Sequence, residues 1–396
     1  MNIGILTFHR PANFGANLQA FCSSSYLKNL GHNVSILNYV RDEDEAYASK
    51  GVNDVQLRAH SDFVCNKLPI TEEVRTKEEL KYLVKKYEYD LIVVGADAVW
   101  RSKPNDTIFF LQWLFEDSEI NNIAAVSMSP AHMGNGFKNL TDNQRKCIRR
   151  SLESFRYITT RDNWTKDRII QDIFNGEQVD IFINPDPVFM IDKFVDEDWN
   201  SFGMESKSYI LMSLPRNWTE SKLGFLYKMW FNRFKRIVNK QGYKLIELPV
   251  PEGKSGLDFD FSVDYPITPF QWYLWLKNAK AFCGLRFHAI VSCISAGTPF
   301  FSIDSYGLSS TKKLWYIITR QYRKAMYGDE RSKIYDLLKG TCFEENRVDN
   351  AIAFYSPTIL LGKLLNADVS SILELRNKRI GQFNDNMSEM IKIVKR

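Results

Sequence analysis

Short apolar runs alternate along the chain with stretches whose apolar positions recur every three or four residues. The runs at 3–8, 34–39, 91–94, 123–127, 157–160 and 181–183 predict strands. The stretches 18–30, closed by Gly31, and 76–88, 142–153 and 164–174 predict helices; 41–61 reads as a polar connector. Strand runs that are apolar throughout, rather than alternating, belong to a parallel sheet covered on both faces.

The same alternation restarts after a linker at 184–206 that opens with Asn184-Pro185-Asp186-Pro187. Strands are predicted at 209–213, 244–248, 281–284 and 300–304, and helices at 220–240, 268–278 and 288–296, the last stopped by Gly297-Thr298-Pro299. Residues 311–396 read as mainly helical, and 370–395 as a charged amphipathic helix that packs back on the first domain. The expected fold is α/β: two doubly wound, Rossmann-like domains at 1–190 and 205–345, with a helical C-terminal segment at 346–396. In that architecture a ligand cleft is expected between the domains, at the carboxyl ends of the strands.

A chain of 396 residues with 44% hydrophobic positions supports two packed cores. The net charge of +5, from 52 basic and 47 acidic residues, suits acidic substrates or an anionic surface but is too small to imply nucleic acid. None of the six cysteines forms a C-x-x-C pair, which fits free thiols in a reducing compartment. The chain opens directly on a strand, and no apolar run reaches spanning length, so a soluble cytoplasmic protein is expected.

Candidate chemistry collects just after the strands. Arg286-Phe287-His288 joins the strand 281–284 to a helix, where unpaired backbone N–H groups and the helix dipole favour an anion. Arg286 adds a bidentate fork for phosphate or carboxylate, and His288 a group that moves protons near neutral pH. Arg216 follows the strand 209–213 and is otherwise a solvated charge. Asp97 follows 91–94 and serves equally well as a turn former. His9 and Asn13 follow the first strand, where Asn13 and Gly15 could simply shape the loop. Arg161-Asp162 is read as an internal ion pair fixing a turn. Asp258-Phe259-Asp260 has the spacing of a metal-binding D-x-D, but no metal is expected there. Cys283, Cys293, Trp272 and Trp275 are read as core, and His32 and His60 as exposed.

Taken in order, the segments 7–19, with Asn13-Phe14-Gly15, 95–101, 128–130, 160–162, 184–189, Arg286-Phe287-His288 and 296–300 resemble the polysaccharide pyruvyl transferase family. The resemblance implies a GT-B-like pair of Rossmann-like domains. It also implies transfer of the pyruvate skeleton of phosphoenolpyruvate onto sugar hydroxyls as a ketal, in surface polysaccharide (exopolysaccharide or capsule) biosynthesis. It places Arg286, Phe287 and Arg216 on the donor, His288 and Asp97 in acid/base roles, and Asn13, His9 and Trp100 on the acceptor side. No cofactor or metal is implied, since arginines can carry the charge stabilisation. The expected partners are phosphoenolpyruvate and a sugar or lipid-linked oligosaccharide. The basic C-terminal helix, with Arg376, Lys378, Arg379, Lys392, Lys395 and Arg396, would contact an anionic membrane unless it is simply solvated. One departure stands out. The family's glycine–serine–aspartate–glutamine–x–tryptophan loop is here Gly95-Ala96-Asp97-Ala98-Val99-Trp100, without two polar side chains. The alternatives are a nucleotide-sugar glycosyltransferase, for which Glu247 is the one acidic ribose candidate, and a non-catalytic carbohydrate-binding relative.

Overall fold

The computed structural model describes residues 1–41, 50–100, 108–131, 137, 140–195, 197, 199, 203–216, 218–220, 224–304, 315, 318–319, 332–349 and 352–395. Arg101, Asn217 and Arg396, parts of the polar connector and of the linker, and most of 305–331 lie outside the described residues.

The chain divides into two compact units. The first holds residues 1–48, 60–190 and 378–396; the second holds 49–59 and 191–377. Both are parallel α/β structures of Rossmann-like type. The C-terminal segment is therefore shared: its residues up to 377 count with the second unit and the rest with the first.

In the first unit, strands β1 (Asn2–Leu6), β2 (Asn33–Ile36), β3 (Leu91–Val94) and β4 (Ala124–Ser127) form one sheet in the order β2-β1-β3-β4, every pair parallel. Val126 bridges Tyr157, just before the small parallel pair β5 (Thr159–Thr160) and β6 (Phe182–Ile183). All four side chains of β3 are completely buried. Each such burial is worth roughly 2 kcal/mol, enough to pin the strand in the middle of the sheet. Helices α1 (Phe14–Asn29), α2 (Asp54–Lys67), α3 (Lys77–Lys86), α4 (Gln112–Phe115), α5 (Asp142–Glu153) and α6 (Asn163–Asp172) connect or cover the strands. Thr76 with Glu79, and Thr141 with Gln144, form capping boxes that start α3 and α5. Helix α2 rises from the end of the stretch read as a polar connector; its residues 54–59 count with the second unit.

The second unit has six parallel strands: β7 (Tyr209–Ser213), β8 (Lys244–Glu247), β9 (Phe261–Ser262), β10 (Ala281–Gly284), β11 (Phe300–Asp304) and β12 (Arg347–Asp349). Their order is β12-β11-β10-β7-β8-β9. Counted from β7 this is the doubly wound order of dinucleotide-binding domains, reversing direction between β7 and β10. The short edge strands β9 and β12 escape sequence reading, because two- and three-residue strands carry no usable periodicity. Helices α7 (Gly224–Lys240), α8 (Pro269–Asn278), α9 (Phe287–Ala296), α10 (Lys333–Leu338) and α11 (Pro357–Leu365) belong to this unit. Thr268 and Gln271 box the start of α8, with Pro269 at its first position, and left-handed Gly297 ends α9. Helix α12 (Val369–Lys395) is 27 residues long. Its later turns pack in the first unit, where Gln382 and Asn386 donate to Ile183 O and Phe383 meets Tyr26 edge-on. Among the described residues no helix is long and apolar enough to cross a membrane.

Candidate functional site

The reversal of strand order in the second unit puts the C-terminal ends of β7 and β10 side by side. Gly284 pairs with Ser213, and a Cβ on Gly284 would lie 2.4 Å from Ser213 O, so only glycine lets the two strand ends approach so closely. Three residues beyond Ser213 comes Arg216; two residues beyond Gly284 comes Arg286. Both arginines thus leave the sheet at its switch point, where parallel α/β sheets bind ligands.

A turn after β8 gathers them. Arg286 Nη2 donates to Glu252 Oε1 at 2.7 Å, and Arg216 Nη1 donates to Glu252 O at 3.3 Å and to Gly51 O at 3.2 Å. Gly253, at φ +143°, makes room: a Cβ there would lie 2.9 Å from Arg216 Cδ. The Arg286 side chain is 47% exposed, and Arg216 is exposed too. Arg286 is the N-cap of α9 and holds φ 82°, ψ 127°, a strained setting for a side chain with a Cβ. It gives no side-chain cap, so the first backbone N–H groups of α9 are not closed off by their own N-cap residue. His288 is half-buried on the first turn of α9, its ring edge-on to Phe287 at 5.4 Å between centroids. The structure therefore assembles Arg216, Arg286, Phe287 and His288 within one unit. Glu252 was not singled out from the sequence. Its signal was available: Pro251-Glu252-Gly253 stands just past a strand, the position already used to choose the other candidates.

Glu247, the acidic residue considered for a ribose, lies in the interior of the second unit. It is 1% exposed, and its two oxygens accept from Ser255 N at 2.6 Å and Ser262 Oγ at 2.7 Å. The D-x-D segment is likewise structural. Lys235 Nζ lies 3.2 Å from Asp258 Oδ2 and 3.3 Å from Asp260 Oδ1, and Asp260 also accepts Leu245 N. Cys283 and Cys293 are buried, and burial pushes both thiols far up. Trp272 and Trp275 are core.

The first unit reverses strand order between β1 and β3. Gly95, at φ +110°, allows the chain leaving β3 to pass the end of β4; a Cβ there would lie 2.3 Å from Met128 O. Asp97 follows with a left-handed φ of 68°. Its side chain is 17% exposed, accepts Ala98 N at 2.7 Å, and lies 3.9 Å from Arg161 Nη1. Arg161, 2% exposed, donates to the fully buried Asp186 at 3.0 Å, the internal ion pair read for it from the sequence, though with Asp186 rather than Asp162 as its closest partner. Burial opposes its charge, but Asp186, Asp97 and Asp162 more than compensate and hold the guanidinium above its usual pKa. Ala96 and Ala98 are 0% and 2% exposed, so the two polar side chains missing from the family loop would stand in the interior of this unit.

Two residues expected on the acceptor side, Trp100 and His9, are buried. Trp100 is completely buried, donates Nε1–H to Phe109 O at 3.0 Å and stacks on Phe110, so its ring fills the core. His9 is 1% exposed; Nδ1 lies 3.1 Å from Thr7 O and Nε2 3.0 Å from Asn38 Oδ1. Burial pushes its pKa below the usual histidine value despite those bonds. Both ring nitrogens are engaged, so His9 braces the β1–α1 loop. Asn13 caps α1, its side chain accepting Gly15 N and Ala16 N. His60 corrects the sequence reading as well: it is 1% exposed, with Nδ1 2.6 Å from Asn17 Oδ1 and its ring against Phe14. His32 is half-buried rather than exposed. Asn17 and Gln19 went unread; Asn17 Nδ2 donates to His9 O at 2.6 Å and Gln19 Nε2 to Phe8 O at 2.7 Å. Polar residues on a buried helix face were the available signal.

No curated protein sequence matches the chain. Among solved structures, the UDP-GlcNAc 2-epimerase from Methanocaldococcus jannaschii superposes with a TM-score of 0.52 at 11% identity, over 93% of this chain and 94% of that one. The glycosyltransferase SnogD from Streptomyces nogalater gives 0.49 at 10% identity over 99% of each chain. The epimerase likeness shows the two-domain Rossmann-like fold alone. The model of the family described as polysaccharide pyruvyl transferase matches residues 13–307, which run from the Asn13 cap through the Arg286–His288 turn and on past β11. The chain is therefore a transferase belonging to the polysaccharide pyruvyl transferase family.

Proposed function

We propose that the protein transfers pyruvate from phosphoenolpyruvate to a pair of sugar hydroxyls, forming a cyclic ketal and releasing inorganic phosphate. The observation that carries this reading is the pairing of Arg216 and Arg286 at the β7–β10 switch point. Phosphoenolpyruvate carries a phosphate and a carboxylate a few ångströms apart, and two guanidinium forks beside a helix N-terminus suit that arrangement.

In the reaction the methylene carbon gains a proton and C2 is attacked by one hydroxyl oxygen. The second hydroxyl then attacks C2 as the C–O bond to phosphate breaks. Of the two hydroxyl protons, one balances the proton added to carbon and the other leaves on phosphate. His288 is the proposed acid at the methylene carbon, and Arg216 and Arg286 hold the donor and its departing phosphate. Asp97, at the switch point of the first unit, is the carboxylate proposed to take the hydroxyl proton, and Asn13 lies on the same βα side. The buried Glu247, with both oxygens committed to Ser255 and Ser262, speaks against a nucleotide-sugar donor.

The test is incubation of the protein with phosphoenolpyruvate and a panel of galactose-, glucose- and mannose-type acceptors. Phosphate release and acceptor mass are followed. Acceptor-dependent phosphate release, with a gain of one pyruvate less water per acceptor, is expected. Turnover that requires a nucleotide sugar instead would overturn the reading.

A further inference from the structure

Helix α7 has an exposed outer face. Its inner side buries Tyr227, Trp230, Phe231, Phe234 and Val238. Its outer side presents Phe225 (75% exposed), Leu226 (39%) and Met229 (55%) in the first two turns, followed by exposed Arg233, Arg236 and Lys240, with Lys228 beside them. At 100° per residue all seven project within a single half of the helix circumference. The 17 residues of α7 include no aspartate or glutamate. Among the described residues, Lys235 is the one cation of the helix engaged with carboxylates, through Asp258 and Asp260. The 352–354 turn and α11 pack directly against α7, with Trp230 Nε1 donating to Tyr355 O at 2.7 Å. Each carries an exposed apolar side chain of its own, Phe354 and Ile359.

Three large apolar side chains in the open are unusual on one helix face, and here they adjoin four cations with no counter-charge on their own helix. A helix face with exposed apolar side chains, four cations and no acidic residue of its own suits an anionic surface that also offers hydrocarbon. A single convex helix gives a protein partner no groove to fill, whereas a fluid bilayer moulds around it. We propose that α7 is an interfacial membrane anchor. Phe225, Leu226 and Met229 enter the headgroup–acyl boundary, and Lys228, Arg233, Arg236 and Lys240 lie on anionic headgroups. This site is distinct from the basic turns of α12, and it does not depend on which donor the enzyme uses.

The test is co-sedimentation of the full chain with phosphatidylcholine vesicles, with and without about 30% phosphatidylglycerol. Expected is binding to the anionic vesicles that weakens at high salt. Phe225→Gln/Leu226→Gln/Met229→Gln should abolish it. Lys228→Gln/Arg233→Gln/Arg236→Gln should weaken it by about a hundredfold. Lys392→Gln/Lys395→Gln on α12 should leave it unchanged. All these side chains are exposed, so circular dichroism of the variants should match the wild type. Vesicle binding that is absent, indifferent to lipid charge, or lost only in the α12 variant overturns the proposal. So does a dimer in solution that the Phe225→Gln set dissolves, since a second copy would then occupy the face.

Discussion

Arg286 and Glu252 form an ion pair at 2.7 Å at the switch point of the second unit, on a turn whose backbone carbonyl also receives Arg216. Glu252 Oε2 is shielded from solvent and has no hydrogen-bond partner among the described residues. The carboxylate thus engages the guanidinium proposed to hold the anionic donor, and a donor bound there would lie beside a like charge.

Glu252→Gln is therefore expected to tighten binding of phosphoenolpyruvate and of inorganic phosphate. The pair is 47% and 39% exposed, so solvent screens it. The repulsion removed is then roughly 1 kcal/mol, about fivefold in affinity. Isothermal titration calorimetry measures it directly. Weaker binding in the variant would mean that Glu252 positions Arg286 rather than competing for it.

His288→Asn should lower kcat by about 10²- to 10⁴-fold while leaving donor affinity within a few-fold, the pattern of a lost proton donor. Arg286→Ala should instead raise the donor KM sharply. Phosphate release across donor concentration separates the two. Normal turnover in the His288→Asn variant would remove His288 from the chemistry.

Asp186→Asn should destabilise the protein by about 3 kcal/mol, because Arg161 would keep its charge in the interior without its closest partner. The double variant Arg161→Met/Asp186→Leu removes both charges and should be less damaged than Asp186→Asn. Thermal unfolding of the three proteins provides the comparison.

His60 gives a pH dependence. Burial pushes its pKa from 6.5 to about 4, and its Nε2 has no hydrogen-bond partner among the described residues. Between those values the unfolded chain binds the proton and the folded chain does not, so stability is full above about pH 6.5 and falls as pH drops towards 4. The loss amounts to at most about 3 kcal/mol. His60→Gln should flatten the fall in melting temperature over that window, leaving a smaller slope from His9, which burial shifts the same way. An identical slope in the variant would assign the dependence to other groups.

Much of the fold was legible because buried parallel strands are apolar throughout and helices carry their own punctuation. The strands at 91–94, 209–213, 281–284 and 300–304 and the helix at 142–153 stand where the pattern puts them. Arg286 and Arg216 were legible for the same reason: residues just past a strand lie at the ligand-binding edge of a parallel sheet. The sequence could not show that the two strands are neighbours. Strand order depends on long-range pairing, and only the approach of Gly284 to Ser213 makes the two arginines a pair. Burial was equally hidden. Trp100, His9 and His60 look like ligand-binding or surface residues as letters in a loop. Their fate is decided by which layers close over them, and Phe110, Asn38 and Asn17 settle it from elsewhere in the chain. Glu252 is the clearest case. Local sequence makes it one more acidic residue in a turn, and tertiary structure makes it the counter-charge of Arg286.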